Sequence, residues 1–159
     1  MSDRRRIVLV GAGSHAKVTL EAVRAIGGFE VVGLLDAAPT ARVVLGVPVL
    51  GDDSMLPRLR ADGVAAALVT LGSNGVRQRM GERLRALGFI LPVIVHPTAV
   101  IAPSALLGEG VVVMVRAIVG TETRVGTLAI VKHRTDHRSR QRYRRSRAHR
   151  ARLCIGRLG

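Results

Sequence analysis

The stretch TAVIAPSALLGEGVVVMVRAIVGTETRVGTLAIVK, Thr98 to Lys132, repeats every six residues. Apolar side chains recur at Ile101, Leu107, Val113, Val119, Val125 and Val131. Two positions before each stand Ala99, Ala105, Val111, Ala117, Thr123 and Ala129. The following residue is small at Ala102, Gly108, Gly120 and Gly126, with Met114 the exception. Neither a helix nor an ordinary strand has a period of six. This spacing predicts a parallel β-helix, whose short β segments bury one apolar residue each and turn at a small neighbour. Six hexads make about two coils, and such a solenoid is stable when several units stack under a polar cap.

Upstream, RRIVLVGAGSHAKVTLEAVRAIGG reads as strand, glycine turn and helix. Ile7 to Val10 is a continuous apolar run, as in a strand buried on both faces. Gly11, Gly13 and Ala16 then form a G-x-G-x-x-A pattern. Such glycines let the backbone approach a phosphate, and the helix N-terminus offers free N–H groups and a positive dipole. They would equally permit close strand–helix packing. Ser14, His15 and Lys17 stand at the helix start, and Val18, Ala22, Val23 and Ile26 form the expected apolar stripe. A second strand, Phe29 to Asp36, ends on a carboxylate placed to accept hydrogen bonds from ribose hydroxyls. A third, Ala65 to Gly72, leads into SNGVRQRMGERLRALG, a turn and a helix with Val76, Met80, Leu84 and Leu87 on one face. Arg77 and Arg79 are expected on its solvated side. FILPVIVHP is expected as a fourth strand. The fold class is therefore α/β. Residues 1–95 form a small Rossmann-like parallel βα domain, 96–131 the start of a left-handed parallel β-helix, and 132–159 a basic tail.

The charge divides along the same line. Met1 to Val131 holds 14 Lys+Arg against 10 Asp+Glu, whereas Lys132 to Gly159 holds 11 against one. No apolar run reaches the roughly 18 residues of a membrane span. A single cysteine, Cys154, excludes a disulfide within the chain, and a cytoplasmic protein is expected. No metal-ligand pattern is present.

The βα domain beginning GAGSHAK, joined through VIVHPTAVIAPSALLGEG to the hexads, resembles the sialic acid O-acetyltransferase and bacillosamine N-acetyltransferase family of bacterial sugar acyltransferases. The resemblance covers Arg5 to Val131. It implies a nucleotide-sugar site in the first domain, acetyl-CoA as co-substrate bound between β-helices, and a homotrimer. The substrate-binding positions it implies are Gly11, Gly13, Ser14 and His15, the acidic Asp36, and Gly72 after the third strand. It also implies a general-base histidine preceded by an acidic residue, in the coil after N-T-G. Here the chain departs from the family, with VKHRTDH in that place, so no catalytic residue is assigned.

The register offers an explanation. Continued past Val131, it falls on His137, Tyr143 and His149, which do not suit an inward corner. Read one base later, His and Tyr codons followed by C become Ile or Thr, and CGN arginine codons become Gly, Ala, Val, Asp or Glu. The tail then permits N-T-G-P-I-I-D-H-D-S-V-I-G-D, with its acidic–His pair at positions 138 and 139 rather than at Asp136–His137. A frameshift near codon 132 is favoured, and it leaves the chain inactive in acyl transfer. Two other readings compete. One is an NAD(P)-binding oxidoreductase-like domain, from the glycine turn and Asp36. The other is nucleic-acid binding through the basic tail, whose 11 cations would give salt-dependent affinity; against it, the tail has one lysine and keeps the six-residue period.

Overall fold

A computed structural model describes residues 4–132. The expectations placed on residues 133–159, including the frameshift, lie outside the described residues.

β1 (Arg5–Val10) is an interior strand of the first sheet, and α1 (Ser14–Ile26) returns the chain to β2 (Phe29–Leu35). A hairpin follows, β3 (Val43–Val44) and β4 (Val47–Gly51), then a short 3₁₀ turn and α2 (Leu56–Ala61). β5 (Ala66–Val69) and α3 (Asn74–Ala86) complete the domain. The sheet order is β3-β4-β2-β1-β5, parallel throughout except for the β3–β4 pair. β1 is buried on both faces because it has a neighbour on each side and helices above and below. Ile7 and Leu9 point into a core with Leu20 and Val23 of α1, while Val8 and Val10 point into one with Leu56, Leu59 and Leu84.

The second half consists of two-residue strands, β6 (Ile94–Val95), β7 (Val100–Ile101), β8 (Leu106–Leu107), β9 (Val112–Val113), β10 (Ile118–Val119), β11 (Arg124–Val125) and β12 (Ile130–Val131). Each pairs in parallel with the strand 18 residues on: Val95 with Val113, Val113 with Val131, Ile101 with Val119, and Leu107 with Val125. Three hexads thus make one coil. Val111, Val113, Ala117, Val119 and Val125 fill its interior, with Ile101, Leu107 and Val131 packed against them. These are the positions the period selects, so the expected α/β domain followed by a parallel β-helix is the fold observed.

The corners have their own period. Gly110, Arg116, Glu122 and Leu128 all have positive φ, between 53° and 67°. Hydroxyls from the preceding coil support two of them: the Arg116 N–H donates to Thr98 Oγ1 at 3.1 Å, and the Glu122 N–H to Ser104 Oγ at 2.9 Å.

Three local expectations are corrected, and one element is new. α1 buries Ala16, Thr19, Leu20, Ala22 and Val23, whereas Val18 and Ile26 are exposed. Val18 faces the cleft described below. α3 buries Arg77, Gly81 and Leu84 and exposes Val76. It is turned so that Gly81 meets the β-helix corner, where a Cβ would overlap Leu128. FILPVIVHP is not one strand. Ile90 makes a single bridge to Ala66, and Ile94–Val95 is already the first rung of the β-helix. Pro92 between them has no N–H to offer a ladder. The β3–β4 hairpin was not anticipated, because its Leu45–Gly46 turn lacks the Asn-Gly or Asp-Gly signature its positive φ values call for.

Candidate functional site

The glycine turn is built by strain and a shared hydroxyl. β1 ends at Val10, and Gly11 takes φ +113°, a region that L side chains avoid. Its N–H donates to the Leu35 carbonyl at 2.7 Å. Thr70 Oγ1 lies 3.0 Å from the Val10 carbonyl and 2.8 Å from the Gly11 carbonyl, so one hydroxyl proton serves both. A Cβ on Gly11 would come within 2.9 Å of that hydroxyl. Packing alone therefore explains Gly11.

Packing does not explain Gly13 or Gly72. Gly13 caps α1 with φ −80°, which any residue adopts, and no atom of the described residues lies within 4 Å of where its Cβ would be. The same holds for Gly72. Gly13 offers no capping side chain, and the first turn of α1 carries no acid. The N–H groups and dipole of this helix end stay available to an anion.

Asp36 ties the end of β2 to this turn. Its carboxylate accepts from the Ala12 N–H at 2.8 Å and from the Ala38 N–H at 2.9 Å. A carboxylate has about four acceptor sites, so Asp36 can hold the turn and still accept from a ligand hydroxyl.

Ser14 and His15 open onto a cleft of about 450 Å³ between α1 and the β-helix. Val18, Glu21 and Ala22 continue the α1 wall, and His96, Met114, Val115 and Lys132 form the wall opposite. His96, Met114 and Lys132 are 18 residues apart, so they stack on one corner of successive coils. On the described coils the equivalent places hold Ala102, Gly108, Gly120 and Gly126. Met114, the break in the small-residue pattern, was thus the sequence signal for the corner that faces the first domain. His96 and Lys132 belong to the same column and were overlooked.

The two histidines have different roles available. The Thr98 N–H donates to His96 Nδ1 at 3.2 Å, and Thr98 Oγ1 lies 2.9 Å away. A ring nitrogen that accepts an N–H bond carries no proton, which leaves Nε2 as the donor of the ring. His15 Nδ1 is buried with no hydrogen-bond partner among the described residues. Burial, aided by the positive charges of Lys132 and Arg77, holds the His15 pKa below its ordinary 6.5. A polar atom left unpaired in a cationic setting suits an anionic ligand.

Arg77 contradicts its expected place on the solvated side of α3. It is buried, and its guanidinium contacts the Leu71, Gly72 and Leu128 carbonyls and Asn74 Oδ1. No metal-ligand cluster occurs among the described residues, and none of their helices is long and apolar enough to cross a membrane.

Known proteins are similar to this chain in sequence and in fold. Residues 6–84 match the family described as the PglD N-terminal domain. The UDP-N-acetylbacillosamine N-acetyltransferase of Bacillus subtilis (strain 168) is 30% identical over 115 residues, 69% of this chain and 51% of that protein. A variant of perosamine N-acetyltransferase from Caulobacter crescentus, solved with CoA and GDP-perosamine, is 45% identical with a TM-score of 0.75, over 79% of this chain and 59% of that one. The acetyltransferase domain of PglB from Neisseria gonorrhoeae FA1090, solved with acetyl coenzyme A, is 36% identical with a TM-score of 0.74, over 81% of this chain and 62% of that one. The chain spans about half the length of the curated relative it matches. With a PglD-type first domain and a parallel β-helix behind it, the chain is similar in sequence and fold to the family of bacterial sugar acetyltransferases.

Proposed function

We propose that this chain binds a nucleoside-diphosphate sugar in the cleft between α1 and the β-helix, as part of an acyl-CoA-dependent sugar acetyltransferase of surface-glycan biosynthesis. The observation that carries this reading is the open N-terminus of α1, with Gly13 leaving room for a ligand and His15 Nδ1 beside it, buried and without a partner among the described residues. The diphosphate lies against the first N–H groups of α1 and Ser14, with Lys132 as a second cation across the cleft. His15 donates to a phosphate oxygen once the anion has restored its proton affinity. Asp36 and Gly72 border the nucleoside end, and the sugar extends along Val18 toward His96. His96 Nε2–H orients a sugar oxygen; in this tautomer it is a donor and not the general base. The acceptor is an amino sugar, by analogy with the N-acetyltransferases this chain resembles, and acetyl-CoA supplies the thioester carbonyl that the amine attacks.

The same reading includes a cytoplasmic homotrimer. Val100 and Ile118 are paired neighbours on one outer face of the β-helix, 61% and 74% exposed, and Leu106 on the next face is 54% exposed. A subunit interface would cover them. It also includes the frameshift: the family's acidic–His base belongs to the frame lost near codon 132, so chain 1–159 binds nucleotide sugar without transferring acetyl.

Resequencing the DNA across codons 125 to 165 tests the frameshift. One removable base should open further hexads with an acidic–His pair; if no such frame exists, the basic tail is genuine and nucleic-acid binding takes its place. Thiol release from acetyl-CoA tests the activity. Chain 1–159 should release none with UDP- or GDP-amino sugars, and the frame-restored chain should release it. Turnover by chain 1–159 itself would refute the loss of the base.

A further inference from the structure

Arg77 occupies a costly position. It is 8% exposed. Nε donates to the Leu128 carbonyl at 3.1 Å, and Nη1 to the Leu71 and Gly72 carbonyls at 2.9 Å each. Nη2 donates to Asn74 Oδ1. All four acceptors are neutral, and Arg77 makes no ion pair among the described residues. Burying a cation on neutral partners is unfavourable unless every donor is used, so this contact is explained by what it joins.

It joins three separate pieces. Leu128 is a corner of the β-helix, with φ +59°. Leu71 and Gly72 follow β5 at the carboxyl edge of the sheet, where α/β folds bind ligands. Leu71 Cδ2 lies 3.1 Å from the place of a Cβ on Gly11, so this loop also walls the glycine turn. Asn74 begins α3. A planar fork with five fixed donors can span these pieces; the single ammonium of a lysine cannot.

We propose that Arg77 is the positioning residue of the nucleotide cleft: it locks the Leu71–Gly72 loop to the β-helix corner at Leu128, and nucleotide affinity depends on that lock. The inference rests on the nucleotide-sugar reading above. Gln78 provides a contrast. Its Nε2 donates to the Thr127 carbonyl at 3.1 Å, so it docks α3 on the same corner and makes no hydrogen bond to the loop among the described residues.

The test uses the full chain, with UDP and GDP as probes in calorimetric titrations and hydrogen exchange read on the same samples. Arg77→Lys and Arg77→Gln should weaken binding about tenfold or more, the scale expected when a site is displaced by a fraction of an ångström. Gln78→Ala and the surface change Arg79→Ala should stay within about twofold, since neither side chain bonds the loop among the described residues. In Arg77→Lys, the amides of 71–74 and 127–129 should lose protection together while those of β1 keep it. Folded Arg77 variants that bind as the parent does would overturn the proposal, as would loosening at Leu128 with none at Gly72. If neither variant folds, Asn74→Ala removes one acceptor and keeps the three carbonyls; about threefold weaker binding is expected, and unchanged affinity overturns the proposal. If the parent binds neither UDP nor GDP, the nucleotide reading fails instead, and the exchange pattern alone decides the role of Arg77.

Discussion

Replacing Gly11 with alanine isolates the strain that shapes the glycine turn. At φ +113° an L residue is held far from its favoured basins, a cost of about 1–3 kcal/mol. The new Cβ would stand 2.9 Å from Thr70 Oγ1 and 3.1 Å from Leu71 Cδ2. Overpacking of that kind costs about 1–3 kcal/mol. Alanine also restricts the unfolded chain, which returns about 0.4–1 kcal/mol. The net expectation is a loss of about 1–5 kcal/mol. Urea denaturation reads this directly: with a slope of about 2 kcal/mol per molar, the midpoint falls by about 0.5–2.5 M. Thr70→Ala separates the two causes. Removing the hydroxyl abolishes its overlap with the Cβ but leaves the φ strain, so the double variant should lose about 1 kcal/mol less than the sum of the singles. A Gly11→Ala midpoint equal to the parent's would refute the reasoning. Strict additivity with Thr70→Ala would refute the contact.

Ser104→Ala removes the hydroxyl that receives the Glu122 N–H, and chemical denaturation should show a loss of about 1 kcal/mol; a neutral change would mean the corner does not use it. Glu122→Gly relieves a positive φ of 55° at that corner and should cost less than about 0.5 kcal/mol or stabilise, unlike glycine within a strand. The His15 pKa lies below 6.5, so the unfolded chain holds more protons than the folded one between the two values. Its contribution to stability is therefore complete above pH 6.5 and falls as the pH drops toward the lowered value. A bound diphosphate reverses the shift. Nucleotide binding near pH 6 should then take up protons, seen as a buffer-dependent heat that disappears in His15→Gln. A buffer-independent heat would place the anion elsewhere. Ile118→Asp puts a charge on a side chain that is 74% exposed. It should leave the fold intact and dissociate the proposed trimer in light scattering; an unchanged mass would remove that face from the interface.

The β-helix was legible because its sequence obeys one rule at every coil. The inward positions from Ile101 to Val131 follow from period alone, since each coil buries the same place. Gly11 and Gly13 were legible as a pair, but their different duties were not. Only the backbone angle and the approach of Thr70, 59 residues away in sequence, separate a glycine required by packing from one that leaves room. Arg77 was misread for a related reason. An arginine on an amphipathic helix is ordinarily solvated, and its partner carbonyl at Leu128 lies 51 positions on, beyond any local pattern. Val18 was misplaced because helical periodicity locates a stripe without saying whether core or cleft covers its edge. The cleft's far wall was written in the sequence as an exception: Met114 breaks the small-residue rule at the corner where His96 and Lys132 stack with it.

The most direct measurement is a calorimetric titration of chain 1–159 with UDP- and GDP-sugars, and with NADH in parallel. Saturable binding of a nucleotide sugar is predicted, accompanied by a shift of the His15 imidazole resonances, with no binding of NADH. Saturable NADH binding without any response to nucleotide sugars would contradict it and return the glycine turn to a dinucleotide site.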